Sequence, residues 1–169
     1  DPQKGYEFDL DSVSLGWLTQ IQPIISQLIC KEVVIKPHTN RPHNRLRFWH
    51  KELVCQIKAI KDNPQEVLNI DLELQKQWIA GFFDAEGSVT TTGTNQPMLS
   101  IYSTNTLKIE ILQNIFSHLA LKNGKYLPKE RNVWQLFLTG KENIGKFAQL
   151  IPLRHPEKLM RIRSFFALN

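Results

Sequence analysis

Apolar residues along the chain follow two alternating rhythms, and the same succession occurs twice. Phe8 and Leu10 alternate with Asp9 and Asp11, the period of a half-buried strand. Leu18, Ile21, Ile24, Ile25 and Leu28 then recur at three- and four-residue intervals, the stripe of an amphipathic helix over Leu18 to Ile29. The echo begins with Leu99 and Ile101 alternating with Ser100 and Tyr102. It continues with Ile109, Leu112, Ile115, Phe116 and Leu119, a helix over Leu107 to Leu119. Residues 31–38 and 44–50 read as two strands joined through Pro37 to Pro42, and residues 124–131 and 133–139 as two more joined near Arg131 and Asn132. A helix follows each pair, at Lys51 to Asp62 and Lys141 to Ile151, and then a proline-containing segment leads into a further helix. The second half has an extra opening: an apolar helix ending at Gly87 and a strand at Ser88 to Thr94. The expected organisation is therefore an incomplete repeat at 1–70 and a complete one at 71–169, with the linker near 63–73.

The extra helix carries the chemistry. The run from Trp78 to Gly87 ends in Asp84 and Glu86. The C-terminal end of a helix bears partial negative charge, so acids there need an offset, and a divalent cation is one that carboxylates hold well. Lys and Arg number 21 against 16 Asp and Glu, a net charge of +5 that leans toward an anionic partner such as nucleic acid. No apolar run approaches the ~18 residues of a membrane span. Two cysteines, Cys30 and Cys55, make neither a disulfide framework nor a zinc pattern. They are expected to be buried free thiols of an intracellular protein, cytoplasmic or organellar. The opening Asp1-Pro2-Gln3-Lys4 is not a signal peptide, and without an initiator Met the reading frame is expected to begin upstream.

The nine residues Ile79-Ala80-Gly81-Phe82-Phe83-Asp84-Ala85-Glu86-Gly87, set in a helix–strand–strand–helix–strand–strand–helix order, resemble the LAGLIDADG homing endonucleases. The resemblance implies an α+β fold of two pseudo-symmetric αββαββα units with antiparallel DNA-binding sheets, the first lacking its motif helix and first strand. It implies that Gly81 and Ala85, small residues four apart, let this helix pack against a second motif helix, with Asp84 structural near that contact. Glu86 then binds the catalytic metal, helped by the Ala85 carbonyl. Mg²⁺ is the expected ion, with Mn²⁺ or Ca²⁺ as substitutes. Asn105 is expected either to orient the attacking water or to cap the helix that follows it, and Ser14 is its counterpart in the first half. Lys158 is the basic residue chosen for the active centre, with Arg154 and His155 as competitors.

The same resemblance lays the strands in the major groove, where alternate side chains meet DNA. In the complete half that row is expected to hold Ser88, Thr90, Thr92, Thr94, Gln96, Ser100 and Tyr102, then Lys125, Lys129, Arg131 and Gln135. In the first half it is expected to hold Lys36, His38, Asn40, Arg41, Arg45 and Arg47. Asp9 and Asp11 depart from a basic face, and either accept from cytosine amino groups or face solvent. The expected activity is metal-dependent, site-specific cleavage of double-stranded DNA leaving short 3′ overhangs, by a free-standing intron-encoded enzyme. The alternative is an intron maturase or a DNA- or RNA-binding regulator of the same fold without cleavage. One acidic helix cannot make the central pair, so a second LAGLIDADG helix is expected from a preceding segment, a separate chain or a second copy. No membrane partner is expected.

Overall fold

A computed structural model describes residues 4–128 and 132–167. The chain forms two compact units, the first ending at Asn63 and the second beginning at Pro64. The boundary precedes the expected one because the 3₁₀ turn Pro64–Asn69 belongs to the second unit. Its Val67 is buried in that unit's core, and the turn packs against the helix that follows Asn105.

The first unit runs β1 (Glu7–Ser12), α1 (Leu15–Leu28), β2 (Ile35–Pro37), β3 (Asn44–Trp49) and α2 (Lys51–Asp62). Its antiparallel sheet has the order β1-β3-β2. The second runs α3 (Leu72–Glu86), β4 (Gly87–Thr91), β5 (Pro97–Ser103), α4 (Thr106–His118), β6 (Gly124–Tyr126), β7 (Trp134–Thr139), α5 (Lys141–Leu150) and α6 (Pro156–Ser164). Its sheet has the order β4-β5-β7-β6, again antiparallel throughout. The mixed α and β architecture with antiparallel sheets is the one expected. From β1 and from β5 onward the two units repeat the same succession, and the described residues of the first hold no counterpart of α3 or β4.

The repetition reaches the caps. Ser14 caps α1 by accepting from the Trp17 N–H, and Asn105 caps α4 by accepting from the Lys108 N–H at 3.2 Å. The N–H of each cap residue in turn donates to a serine hydroxyl two residues back, Ser12 at 3.0 Å and Ser103 at 3.1 Å. At the other end Cys30 and Ala120 both take φ 51°. The next N–H reaches back to close the last turn, Lys31 to Ser26 at 3.1 Å and Leu121 to Phe116 at 2.8 Å. These are left-handed caps without glycine.

Each sheet buries one face. In the first unit Leu46 and Phe48 join Trp17, Leu18, Val33 and Val54, with Phe8 and Leu10 packed against them. In the second, Val89, Leu99, Ile101, Leu136 and Leu138 meet α3, α4 and α5 through Phe83, Phe116 and Phe147. The rings of Phe83 and Phe147 lie 5.2 Å apart, and those of Phe116 and Phe147 meet edge to face at 6.0 Å.

Several strand ends are shorter than the pattern predicts. β4 stops at Thr91 because a turn closes at once: Thr92 N–H donates to Gln96 O at 2.8 Å, and Asn95 enters the left-handed region at φ 59°. β2 and β6 are short edge strands, since only their central residues meet β3 and β7. The two thiols depart from expectation: Cys30 and Cys55 are free but exposed, one at the left-handed cap of α1 and one on the outer face of α2.

Candidate active centre and nucleic-acid face

α3 begins with Asp71 accepting from the Leu74 N–H at 2.9 Å. Gln75, itself buried, donates to the carbonyls of Leu68 and Ile70 and fixes the approach to the helix. Ile79, Ala80 and Phe83 are fully buried, whereas Gly81, Ala85 and Glu86 are exposed. A Cβ on Gly81 would meet nothing within 4 Å, so Gly81 and Ala85 leave a smooth open strip along the helix. At Gly87 the situation is reversed. A Cβ there would lie 2.4 Å from both the Phe83 carbonyl oxygen and its ring, so only glycine lets the helix pass directly into β4. That abrupt transition leaves Glu86 as the last helical residue, on the lip of the sheet.

The helix end has a positive partner that sequence reasoning placed nearby but for another purpose. Lys158 Nζ donates to the carbonyls of Phe83 and Asp84, both at 2.8 Å, and lies 5.5 Å from the centre of the Phe83 ring. It thus satisfies the Asp84 carbonyl, adds a second donor to the Phe83 carbonyl that already accepts from the Gly87 N–H, and offsets the dipole there. The charge argument for a cation at this end is therefore met partly from within the protein. Partial burial lowers the Lys158 pKa, while the charges of Asp84 and Glu86 oppose the shift.

Asp84 is buried, with Oδ2 accepting from the Arg154 N–H at 2.9 Å. It ties the segment between α5 and α6 to the end of α3, and so brings Lys158 to the helix terminus. Arg154 enters through its backbone, and His155 is buried at the cap of α6. Burial lowers the His155 pKa first, and the neighbouring Lys158 charge adds to that shift.

Two expected outcomes follow from these contacts. Lys158→Met keeps the aliphatic stem and removes the ammonium. Hydrogen bonds to charged groups contribute about 1.5–3 kcal/mol, so urea unfolding should show a loss of about that size. An unchanged midpoint would mean that the two carbonyls are equally well served by water. Because the folded His155 resists protonation, the unfolded chain takes the proton first as pH falls. Stability is expected to be full above the ordinary histidine value of about 6.5 and to decline as pH drops through it, until the lowered folded value is reached. Urea midpoints for wild type and His155→Gln on either side of that value should differ in slope.

Glu86 takes part in no ion pair among the described residues, and its carboxylate is exposed. Among the described residues no three His, Cys, Asp or Glu are gathered as a metal cage. The donors at this end are one free carboxylate and the helix-end carbonyl of Ala85. Hard oxygen donors of this kind suit Mg²⁺, which keeps waters and phosphate oxygens in its shell. They fit part of a shared site rather than a self-contained one.

Asn105 caps α4, its Oδ1 accepting from the Lys108 N–H. On the sheet of the second unit, cross-strand register puts Ser88 opposite Ser100 and Tyr102 opposite Gln135, with Thr90 opposite Met98. These residues share one face, as expected. Three expectations are corrected. Ser100 has 0% exposure and accepts from Gln135 Nε2 at 2.8 Å, so it supports Gln135 and cannot meet DNA itself. Thr92 uses its hydroxyl within the turn, bonded to Thr94 Oγ1 at 3.0 Å and the Gln96 N–H at 3.1 Å, so it closes the hairpin. Lys125 stands opposite Leu136 and over the Trp134 ring at 5.2 Å, on the other face, and Tyr126 takes its place opposite Gln135. Tyr126 was missed because the register of a three-residue edge strand is not written in its alternation. Thr94 and Gln96 lie exposed in the turn after β4, and Lys129 and Arg131 lie outside the described residues.

In the first unit, Lys36 and Arg45 are opposite one another, and Arg47 lies two residues on. His38, Asn40 and Arg41 belong to the β2–β3 connection, where the His38 N–H donates to His43 O at 2.8 Å and His38 Nδ1 accepts from the Asn40 N–H. Arg45 and Arg47 are not free cations. Arg45 Nε pairs with Asp11 at 2.9 Å; Arg47 Nε pairs with Asp9 at 2.7 Å and with Glu7 at 2.9 Å. The hydrogen bond from Arg45 is the main cause of a lowered Asp11 pKa.

Comparison with known proteins agrees with this architecture. Residues 73–152 match the LAGLIDADG-like domain. The chain is 29% identical over 119 residues to the homing endonuclease I-ApeI of Aeropyrum pernix, covering 70% of this chain and 53% of that protein. It thus spans about half the length of that curated relative. Among solved structures, I-DmoI in complex with DNA and Mn superposes with a TM-score of 0.68 at 22% identity, covering 86% of this chain and 80% of that one. I-DmoI in complex with DNA and Ca gives 0.69 at 21%, covering 92% and 82%. Full-length DUF199/WhiA from Thermatoga maritima gives 0.62 at 15%, covering 96% and 54%. With the motif helix, its glycine-terminated junction and the sheet order all in place, residues 73–152 form a LAGLIDADG-like domain, and the chain is similar in sequence and fold to LAGLIDADG homing endonucleases.

Proposed function

We propose that the chain is a divalent-metal-dependent endonuclease acting on double-stranded DNA at a specific site, encoded within an intron and leaving short 3′ overhangs. The observation that carries this reading is Glu86: an exposed carboxylate at the end of a motif helix, in no ion pair among the described residues. Its exposure leaves the oxygens available to Mg²⁺. The metal, when bound, would supply an activated water and neutralise charge on the phosphate. This chain's residues do the positioning. Gly87 fixes where the helix stops, Asp84 anchors the segment that carries Lys158, and Lys158 holds the helix end through the Phe83 and Asp84 carbonyls. Ser88, Thr90, Tyr102 and Gln135 line the sheet face that would lie along the groove, where hydroxyl and amide groups suit base edges and phosphates.

A second carboxylate completes the centre, brought by another motif helix against the strip of Gly81 and Ala85. A preceding segment or a separate chain is favoured over a second copy of this chain. An intracellular setting suits two exposed thiols without a disulfide. The test uses a duplex formed by joining the DNA that flanks the coding region. Incubation with Mg²⁺ and the chain, supplied with the second motif helix as a preceding segment or a partner chain, should give double-strand cleavage that EDTA abolishes. Binding without cleavage, in which Mg²⁺ makes no difference, is the second reading. It is kept because WhiA, which is not named for cleavage, shares the fold, and fold alone does not decide chemistry.

A further inference from the structure

On the exposed sheet face of the first unit, three acids and two arginines form one lattice. Glu7, Asp9 and Asp11 lie on β1, directly across from Trp49, Arg47 and Arg45 on β3. Asp11 takes the Nε and Nη2 edge of Arg45 at 2.9 and 3.5 Å. Asp9 takes the same edge of Arg47 at 2.7 and 2.9 Å, and also approaches Arg45 Nε at 3.9 Å. Glu7 adds a second carboxylate to Arg47, and the Trp49 ring lies 5.9 Å from its guanidinium carbon. Among its described residues the second unit has no such cross-strand lattice. Across the same strand pair it carries Ser100, Tyr102, Gln135 and Phe137, all uncharged.

Three acids on a face that meets a polyanion weaken attraction to phosphates. Exposed ion pairs add little to stability, so folding does not account for them. What the lattice does is hold two guanidinium forks in fixed planes. Each acid occupies the Nε edge and leaves the Nη1 end without a partner among the described residues. A fork presented end-on matches the O6 and N7 acceptors of guanine in the major groove. The two arginines are separated by two strand residues, about 6.6 Å, close to two base-pair steps of about 3.4 Å.

We infer that Asp9–Arg47 and Asp11–Arg45 are acid-positioned guanine readers that determine specificity in one half of the target, with the acids as positioning residues. The inference rests on the DNA-binding reading above and names its determinants. Their neutrality also holds down phosphate binding, so discrimination is gained at the expense of general affinity.

The test is selection by the full chain from a randomised duplex pool, followed by sequencing, with thermal melts on every variant. Wild type should enrich guanine at two positions about two base pairs apart. Asp9→Asn should lose about tenfold of that preference at one position and Asp11→Asn at the other, while both retain or increase binding to unselected duplex. Arg45→Lys and Arg47→Lys should lose the same preferences with unselected binding unchanged. Guanine preference that survives both asparagine variants overturns the inference. So does cytosine at these positions that survives Arg→Lys and vanishes with Asp→Asn, which would make the acids the readers. In both cases selective DNA binding stands. A wild-type chain that selects no sequence overturns the DNA-cleavage reading as well.

Discussion

Glu86→Gln is expected to reduce DNA cleavage by on the order of a thousandfold while leaving duplex binding within a few-fold of wild type. A metal at a scissile phosphate contributes several kcal/mol to the transition state, and each ~1.4 kcal/mol is a factor of ten. The substitution preserves size and removes the charge. The side chain is exposed and in no ion pair among the described residues, so melting should move little. Single-turnover cleavage and gel-shift binding on the same duplex separate the two quantities. Cleavage within tenfold of wild type would reject Glu86 as a metal ligand. Equal loss of binding and cleavage would point instead to a role in docking DNA.

Phe83→Ala is expected to produce the largest loss of stability, about 3–5 kcal/mol, the usual range for emptying a fully buried aromatic site. Phe83 is fully buried and packs at a tilt against Phe147, which meets Phe116 in turn. Its ring also fills the space beside Gly87, and its carbonyl accepts from Lys158. The cavity should therefore loosen the core and the end of the motif helix together. Urea unfolding of the second unit should show the loss, and Phe83→Leu should recover much of it. A loss under about 1 kcal/mol would mean that neighbouring side chains collapse into the space.

The helices are legible in the sequence because their stripes are long and their ends are marked. The stretch Lys51 to Asp62 coincides with α2, and Asn105 stands where a cap would, its Oδ1 accepting from Lys108. The motif helix is legible for a different reason: two acids at the end of a helix where the dipole opposes them, followed at once by Gly87, form an unusual order. The sheets are less so. Lys125 and Tyr126 sit side by side on a short strand, and only the pairing with β7 decides which shares a face with Gln135. Thr92 looks like a strand residue until its hydroxyl is seen to close a turn. Ser100 looks exposed until Gln135 is found over it. The first half's basic cluster is visible, but its neutralisation by Glu7, Asp9 and Asp11 depends on residues some 35 positions away, brought opposite by register. The acid at 84 and the lysine at 158 both stand out along the chain, yet their cooperation through the Arg154 backbone is a tertiary fact with no periodic signature.

Both sulfhydryls of the chain stand on the surface of the first unit, and the second has none. A maleimide dye therefore marks one unit alone without any engineering, at the end of one helix and on the flank of another. Air and peroxide will act there too. Storage without reductant should cross-link chains through that unit and leave the motif helix chemically untouched.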